Sequence, residues 1–396
     1  MLRGSCTSAF RGAAPAMTFP AFGDAADYER LGRACAAALG GAGGTVFDDC
    51  YHPIRPRGIA LLMAAPYLVT RDAVAADYVL LALNVAFLGL AVAALGSALA
   101  ADPDLLPGRA GLLWAGALAA LLPNLVSHLP IRLADLPALA LFLVAVSLGM
   151  RTAASAIPAR PLAWRYAMAG ACCAGAVFLK LTYFLHSLLF LALVLLLDRN
   201  QVTDRRRLAC GAAFLAAFSP VAAQFGDVFL HSGRVELFES AYMKPFHQQP
   251  RGQAIEAVFH TIPATGAYTV RPAEPVGFAT LVVLRLYRGL LGFEWAVYGG
   301  RARRGPVWEL TAPDRIRAWT FVGLWAALTA AVVRWGPRGL GLLCATACAV
   351  ALATAVLGHT ELRYFALPRA ALWLTLAGAG LWLGRSHIPR PSGSVA

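Results

Sequence analysis

Nine stretches of the chain are apolar for roughly 16 to 22 residues at a time, at 77–98, 109–127, 134–150, 164–181, 183–198, 208–225, 317–334, 339–357 and 367–384. Each is about long enough to cross a ~30 Å hydrocarbon layer as a helix. If they thread the layer alternately, the connections at 99–108, 151–163, 199–207 and 335–338 fall on one side, together with the tail after 384. All of those connections are short. The two longer polar regions, 20–76 and 226–316, fall on the other side. The pattern predicts an all-α integral membrane protein, a polytopic helical bundle whose single membrane domain covers 1–396. A first loop region (20–76) precedes the helices of 77–225, and a second (226–316) precedes the helices of 317–396.

The loop regions carry helices of their own. From Asp24 to Leu39, the residues Tyr28, Leu31, Ala34, Cys35 and Ala38 recur at helical spacing, as in an amphipathic helix of the interfacial type. The glycine-rich run Gly40 to Gly44 ends it, and Asp48 to Arg57 reads as a rigid polar turn. Residues 58–70 are apolar but too short to span, which predicts a re-entrant or surface-lying helix. Residues 276–298 are hydrophobic enough to cross, yet Arg285 and Arg288 would sit near mid-membrane. At about 2.5–3.5 kcal/mol each, those two arginines predict a helix lying on the surface instead.

Charge supplies the orientation. The short connections and their flanks hold Arg109, Arg151, Arg160, Arg165, Arg199, Arg205, Arg206, Arg207, Arg334, Arg338, Arg385 and Arg390. Of the chain's 21 acids, that side holds Asp102, Asp104, Asp198 and Asp204. The positive-inside rule therefore puts the short connections and the C-terminus in the cytoplasm of a plasma (inner) membrane, and both loop regions outside. Nine spans then leave residue 1 outside, unless a further helix precedes it and makes ten. Residues 1–20 hold Arg3 and Arg11 without a sustained apolar run, so they read neither as a signal peptide nor as a span. The composition, 59% hydrophobic and 14% charged with a mean hydropathy of +0.62, fits this class. A net charge of +13 invites a nucleic-acid reading. That reading fails because much of the excess sits between spans, where it faces anionic lipid. Of eight cysteines, Cys35 and Cys50 share the first loop region and could pair if that compartment oxidises.

The candidate chemistry lies on the outer face. Acids cluster at Asp24, Asp27, Asp48 and Asp49, recur at Asp135 in Leu-Ala-Asp-Leu-Pro137, and appear again at Glu361 in His359-Thr-Glu-Leu-Arg363-Tyr364. Lys180 stands near the outer end of its span. The ordered set resembles the GT-C-type polytopic membrane glycosyltransferases. Asp24-Ala-Ala-Asp27-Tyr28, followed by Arg55-Pro56-Arg57-Gly58-Ile59-Ala60-Leu61-Leu62, is similar to their first-loop signature, although Arg57 and Ala60 stand where that signature has proline. Asp135 resembles their second acidic position, Lys180 their lysine after the fifth span, and Glu361-Leu-Arg363-Tyr364 their late Glu/His-x-Arg-Tyr motif.

The resemblance implies an inverting hexosyl- or pentosyltransferase of cell-envelope glycan biosynthesis. It would move a sugar from a polyprenyl-phosphate-linked donor to a glycan, lipid or protein acceptor. It implies Asp24 as the base, with Asp135 and Glu361 as further catalytic carboxylates. Arg363, Lys180 and Tyr364 would serve the donor phosphate, and Asp27, Asp48, Asp49 and His359 the acceptor. Oxygen ligands at Asp135 and Glu361 would suit Mg²⁺ or Mn²⁺.

Plainer roles compete at each position. Asp24 after Gly23 also looks like a helix N-cap, Asp48 and Asp49 like solvated turn residues, and Asp135 like the cap of its span. Lys180 could simply snorkel to the headgroups, and Glu361 with Arg363 could be an interfacial ion pair. Two other functions compete as well: a transporter or flippase of lipid-linked glycans, and an inactive GT-C-like scaffold subunit. A transporter would be expected to carry ionisable groups inside its spans, and the nine interiors read as free of carboxylates.

Overall fold

The computed structural model describes residues 24–42, 44–52, 55–102, 105, 110–118, 134–154, 159–197, 204–235, 270–272, 277–291, 308–310, 312–357 and 365–385. The first loop region folds as three helices, α1 (Asp24–Leu39), α2 (Val46–Asp49) and α3 (Arg57–Val69). The first long helix is α4 (Ala73–Ala100), followed after a gap by α5 (Asp135–Ala154), α6 (Ala159–Leu179), α7 (Tyr183–Leu197), α8 (Asp204–Phe218) and α9 (Ala222–Ser232). Helix α10 (Phe278–Leu291) belongs to the second loop region, and α11 (Ala312–Trp335), α12 (Arg338–Leu357) and α13 (Ala366–Arg385) close the chain. One feature departs from the all-helical expectation. Strands β1 (Val270–Pro272) and β2 (Trp308–Leu310) pair in parallel, with Val270 opposite Trp308.

Among the described residues, six helices are long and apolar enough to cross a membrane: Ala73–Ala100, Asp135–Ala154, Pro161–Leu179, Arg205–Ser232, Ala312–Trp335 and Arg338–Val356. The chain is a polytopic helical membrane protein. The other three expected spans stand differently. Residues 183–198 form a 15-residue helix. Residues 109–127 are helical over 110–118 and otherwise lie outside the described residues. Residues 367–384 fall within the 20-residue α13.

The ends of the long helices gather at two faces. At one end, Gly339 at the start of α12 donates its N–H to Asp102 after α4 (3.2 Å). At the opposite end, the start of α3 packs on the last turn of α6, so closely that a Cβ on Gly58 would run into the carbonyl of Phe178. Side chains cover the helices unequally. The apolar stretches of α5 and α12 are 78% and 72% buried, those of α4 and α11 only 22%, which puts the first pair at the centre and turns the second outward. Lipid tails are as apolar as leucine, so tight packing and not water exclusion must hold such a bundle. Phe142, Phe190 and Phe214 are fully buried at its heart, with ring centres 6.0 and 6.4 Å apart along the series.

Helix α1 differs in role from its expectation. The stripe Tyr28, Leu31, Gly32, Cys35 and Ala36 is buried, with Gly32 against the backbone of Met63 in α3. The apolar face that reads as membrane-binding is spent on a neighbouring helix. Cys35 and Cys50 form a disulfide and are both fully buried, tying α2 to α1 across the glycine turn.

The 208–225 segment also runs further than its apolar residues indicate. A 3₁₀ turn at Ser219–Val221 absorbs the missing N–H of Pro220. The helix then resumes as α9 and ends only at Gly233, whose left-handed φ of 71° lets its N–H cap Phe229.

Removing the disulfide by the paired change Cys35→Ser and Cys50→Ser should cost about 3 kcal/mol of stability, the scale for a loop of this length. Thermal unfolding in detergent reads this as a lowered midpoint, and an unchanged midpoint would show that the closed loop contributes nothing.

Candidate functional site

The polar contacts gather at the end of the bundle where α3 begins, α6 ends and α5 begins. Asp135 opens α5 and Lys180 immediately follows α6, and the two form an ion pair with side chains only 14% exposed. Forty-five residues separate them in sequence. The helices of α5 and α6 pack along their length, so their ends must meet. Alternation brings the start of one beside the end of the next. Asp135 and Lys180, each expected to act separately, are thus one unit.

A second ion pair was not expected. Arg57 Nε lies 2.9 Å from Asp227 Oδ2, with both side chains largely buried. Gln224, one turn earlier on α9, accepts the Arg57 backbone N–H (3.4 Å). The side chain of Arg57 also donates to the Phe47 carbonyl (3.3 Å). Asp227 and Gln224 stand on the part of α9 at the edge of the second loop region, so Arg57 joins that region to the first. The signal was present in the sequence as Gln224-Phe-Gly-Asp227, a polar pair three residues apart, just where the apolar run fades.

His231, one turn beyond Asp227, completes the join. Its ring stacks on Tyr51 (centres 3.5 Å apart) and Phe47 (4.2 Å). Nδ1 lies 2.7 Å from the Asp227 carbonyl, which fixes the proton on that nitrogen. Nε2 then faces Asp48 Oδ1 at 3.7 Å. On the neighbouring side, Tyr28 of α1 lies under the guanidinium of Arg55 (5.2 Å to the ring centre).

The remaining sequence candidates stand differently. Asp24 opens α1, one turn before Tyr28. Asp27 and Asp48 both make local contacts as well. Asp27 is exposed and pairs with Arg30 one turn on (2.8 Å). Asp48 closes a reciprocal cap with Thr45, whose hydroxyl donates to Asp48 Oδ2 (2.7 Å) and accepts the Asp48 N–H (3.1 Å). Asp49 ends α2, half-buried beside Gly44. His359, Glu361, Arg363 and Tyr364 lie outside the described residues. Among the described residues, no three His, Cys, Asp or Glu side chains gather as a metal site. Asp135 in particular is engaged by an ammonium group, which repels a divalent cation, so it does not fit the expected metal role.

Polar groups also enter the bundle. Asp77 and Asn84 are buried in α4, and His186 is buried in α7, its Nε2 3.4 Å from Thr354 Oγ1 in α12. Asp77 is the first residue of the 77–98 stretch, at its edge. Helix α4 starts at Ala73, which carries Asp77 a full turn inside. In α1, Glu29 accepts hydrogen bonds from Arg33 (2.8 Å) and from the hydroxyl of Tyr67 (3.4 Å). The bond to Glu29 raises the pKa of Arg33.

No known protein family, curated protein or solved structure matches this chain.

Breaking the Asp135–Lys180 pair from one side leaves a largely buried charge uncompensated. Lys180→Met should therefore destabilise the fold by about 3–5 kcal/mol, and the double change with Asp135→Asn by clearly less. Additive losses in a double-mutant cycle of detergent unfolding midpoints would show that the two groups do not act as a pair.

Proposed function

We propose that this chain is a membrane glycosyltransferase resembling the GT-C class, taking its sugar from a polyprenyl-phosphate donor on the face that carries Asp135. One observation supports the reading most. Segments that resemble successive motifs of that class, far apart in sequence, lie at one end of the bundle. They are the Asp24 helix, the Arg55–Arg57 turn, the entry at Asp135 and the exit at Lys180. An interfacial active site needs this convergence, because a lipid-linked donor presents its phosphate only at the membrane surface.

The division of labour follows from charge. The acceptor hydroxyl must lose a proton as it attacks, and Asp24, in the first turn of α1, is the carboxylate assigned to take it. The departing polyprenyl phosphate gains negative charge, so cations must face it. Arg363 is assigned this role, since its planar fork can hold two phosphate oxygens. Lys180 is held by Asp135 and serves chiefly to orient that carboxylate toward the acceptor. No step is assigned to a metal ion.

A second reading has its own observation. Asp77, Asn84 and His186 are polar groups within the bundle, as a transporter or flippase of lipid-linked glycans would require. Flipping would move labelled donor across a vesicle wall without forming a glycosidic bond.

The deciding experiment supplies radiolabelled polyprenyl-phosphate sugars to membranes containing the chain and follows transfer to extractable acceptors. Asp24→Asn should lower transfer by about 10²–10⁴-fold while expression and fold persist, because asparagine still caps a helix but cannot take a proton. Asp27→Asn should be tolerated. An Asp24→Asn chain that retains more than about a tenth of the wild-type rate refutes the base assignment.

A further inference from the structure

The joint between the first loop region and α9 contains a mismatch at His231. Nδ1 gives its hydrogen to the Asp227 carbonyl (2.7 Å), so in the neutral ring Nε2 carries a lone pair. The group it faces, Asp48 Oδ1 at 3.7 Å, is another acceptor. Nε2 is buried and makes no hydrogen bond. A gap of 3.7 Å is also too short for a water in line between the two atoms. The Thr45 hydroxyl binds Asp48 Oδ2, which leaves Oδ1 for the ring. A proton on Nε2 turns this contact from two opposed acceptors into a charge-assisted hydrogen bond.

The surroundings of the ring favour that proton from three sides. The Asp48 carboxylate comes from α2. The rings of Tyr51 and Phe47 stack on the imidazole, and an aromatic face attracts a cation. His231 itself lies in the last turn of α9, where the helix presents the negative end of its dipole. The opposing charge is Arg57 of α3, whose guanidinium stands 5.7 Å from the ring centre of Phe47. Asp227 pairs with Arg57 (2.9 Å) and offsets that repulsion. The other ionisable groups near the joint point elsewhere: Asp49 lies beside Gly44, His52 pairs its backbone with Arg55, and Arg234 is exposed beyond the end of α9. The helical stretch that ends at Ser232 is 28 residues long. That is about eight more than a crossing needs, so its last turns stand clear of the hydrocarbon.

We propose that His231 is a proton-operated latch, in which protonation of Nε2 fastens α2 and the Tyr51 turn to the end of α9. Acid closes the latch and alkali loosens it, across the range of about pH 5 to 8 in which histidine changes charge. The closed joint binds one proton more than the open one. Its stability is therefore full at low pH and falls as pH rises through that range. Arg57 and its turn are what the latch steadies, whichever reaction the face carries, and no substrate is needed to observe it.

Hydrogen–deuterium exchange of the full chain in nanodiscs, read over residues 45–51 and 222–232 at about pH 5.5 and about pH 8.5, tests this. After correction for the intrinsic pH dependence of exchange, both segments should be about ten-fold better protected at the acid end, the scale of one charge-assisted bond. His231→Phe keeps a stacking ring but takes no proton, and should flatten the response. Asp48→Asn still accepts from Thr45 but lacks the carboxylate, and should shrink it. The Asp48 side chain is 66% exposed, so this second variant keeps the proposal testable if the first fails to fold. His52→Gln should leave the response unchanged. Protection in the wild type that is flat or rises with pH overturns the proposal. So does a full response that persists in Asp48→Asn or in well-folded His231→Phe, or one that disappears in His52→Gln.

Discussion

Charge is expensive in hydrocarbon, and the arrangement of this chain follows from that cost. Every backbone N–H and C=O inside the layer must be satisfied within the protein, so the spans are helices, and ionised side chains are driven to their ends. The helix ends then sort into two sets. One set is rich in arginine, including Arg151, Arg165, Arg205, Arg206, Arg207, Arg334 and Arg338. The other holds the ion pairs Asp135–Lys180 and Arg57–Asp227, the histidine stack and the buried arginines of α10 and α13. Chemistry is concentrated at one face because that face is where charged groups from distant segments can afford to meet.

Those meetings also stiffen the face. Helices α1, α2 and α3 are cross-linked by Cys35–Cys50 and by the Gly32–Met63 contact. Arg57 then fastens that unit to α9 through Asp227, Gln224 and the stacked rings. A catalytic or binding carboxylate needs a fixed position more than it needs an unusual environment. Asp24 begins a helix that is braced in this way, which supports the role proposed for it.

The parts legible in the sequence were those set by local pattern. Long apolar runs and a 3.6-residue stripe mark most of the helices, including α1 and the short α3. What escaped was pairing across the sequence. Asp135 and Lys180 were each visible, but nothing local says that one neutralises the other across 45 residues. Asp227 was missed because hydropathy fades near residue 225 while the helix runs on to Ser232, its polar face supported by Arg57. Arg285 reads in the sequence as a charge that keeps residues 276–298 from spanning, and nothing local shows that a carbonyl on a neighbouring helix receives it. Asp27 and Asp48 likewise meet partners, Arg30 and Thr45, that reading each acid alone does not show.

The account depends on the two faces lying on opposite sides of the membrane, with the Asp135 face outside. Single cysteines at two exposed positions measure this directly, Arg71→Cys beside the start of α4 and Ala101→Cys beside its end. A membrane-impermeant maleimide should label the first in intact cells and the second only after permeabilisation. Labelling of Ala101→Cys from outside, with Arg71→Cys protected, would invert the orientation and remove the basis for an extracytoplasmic site.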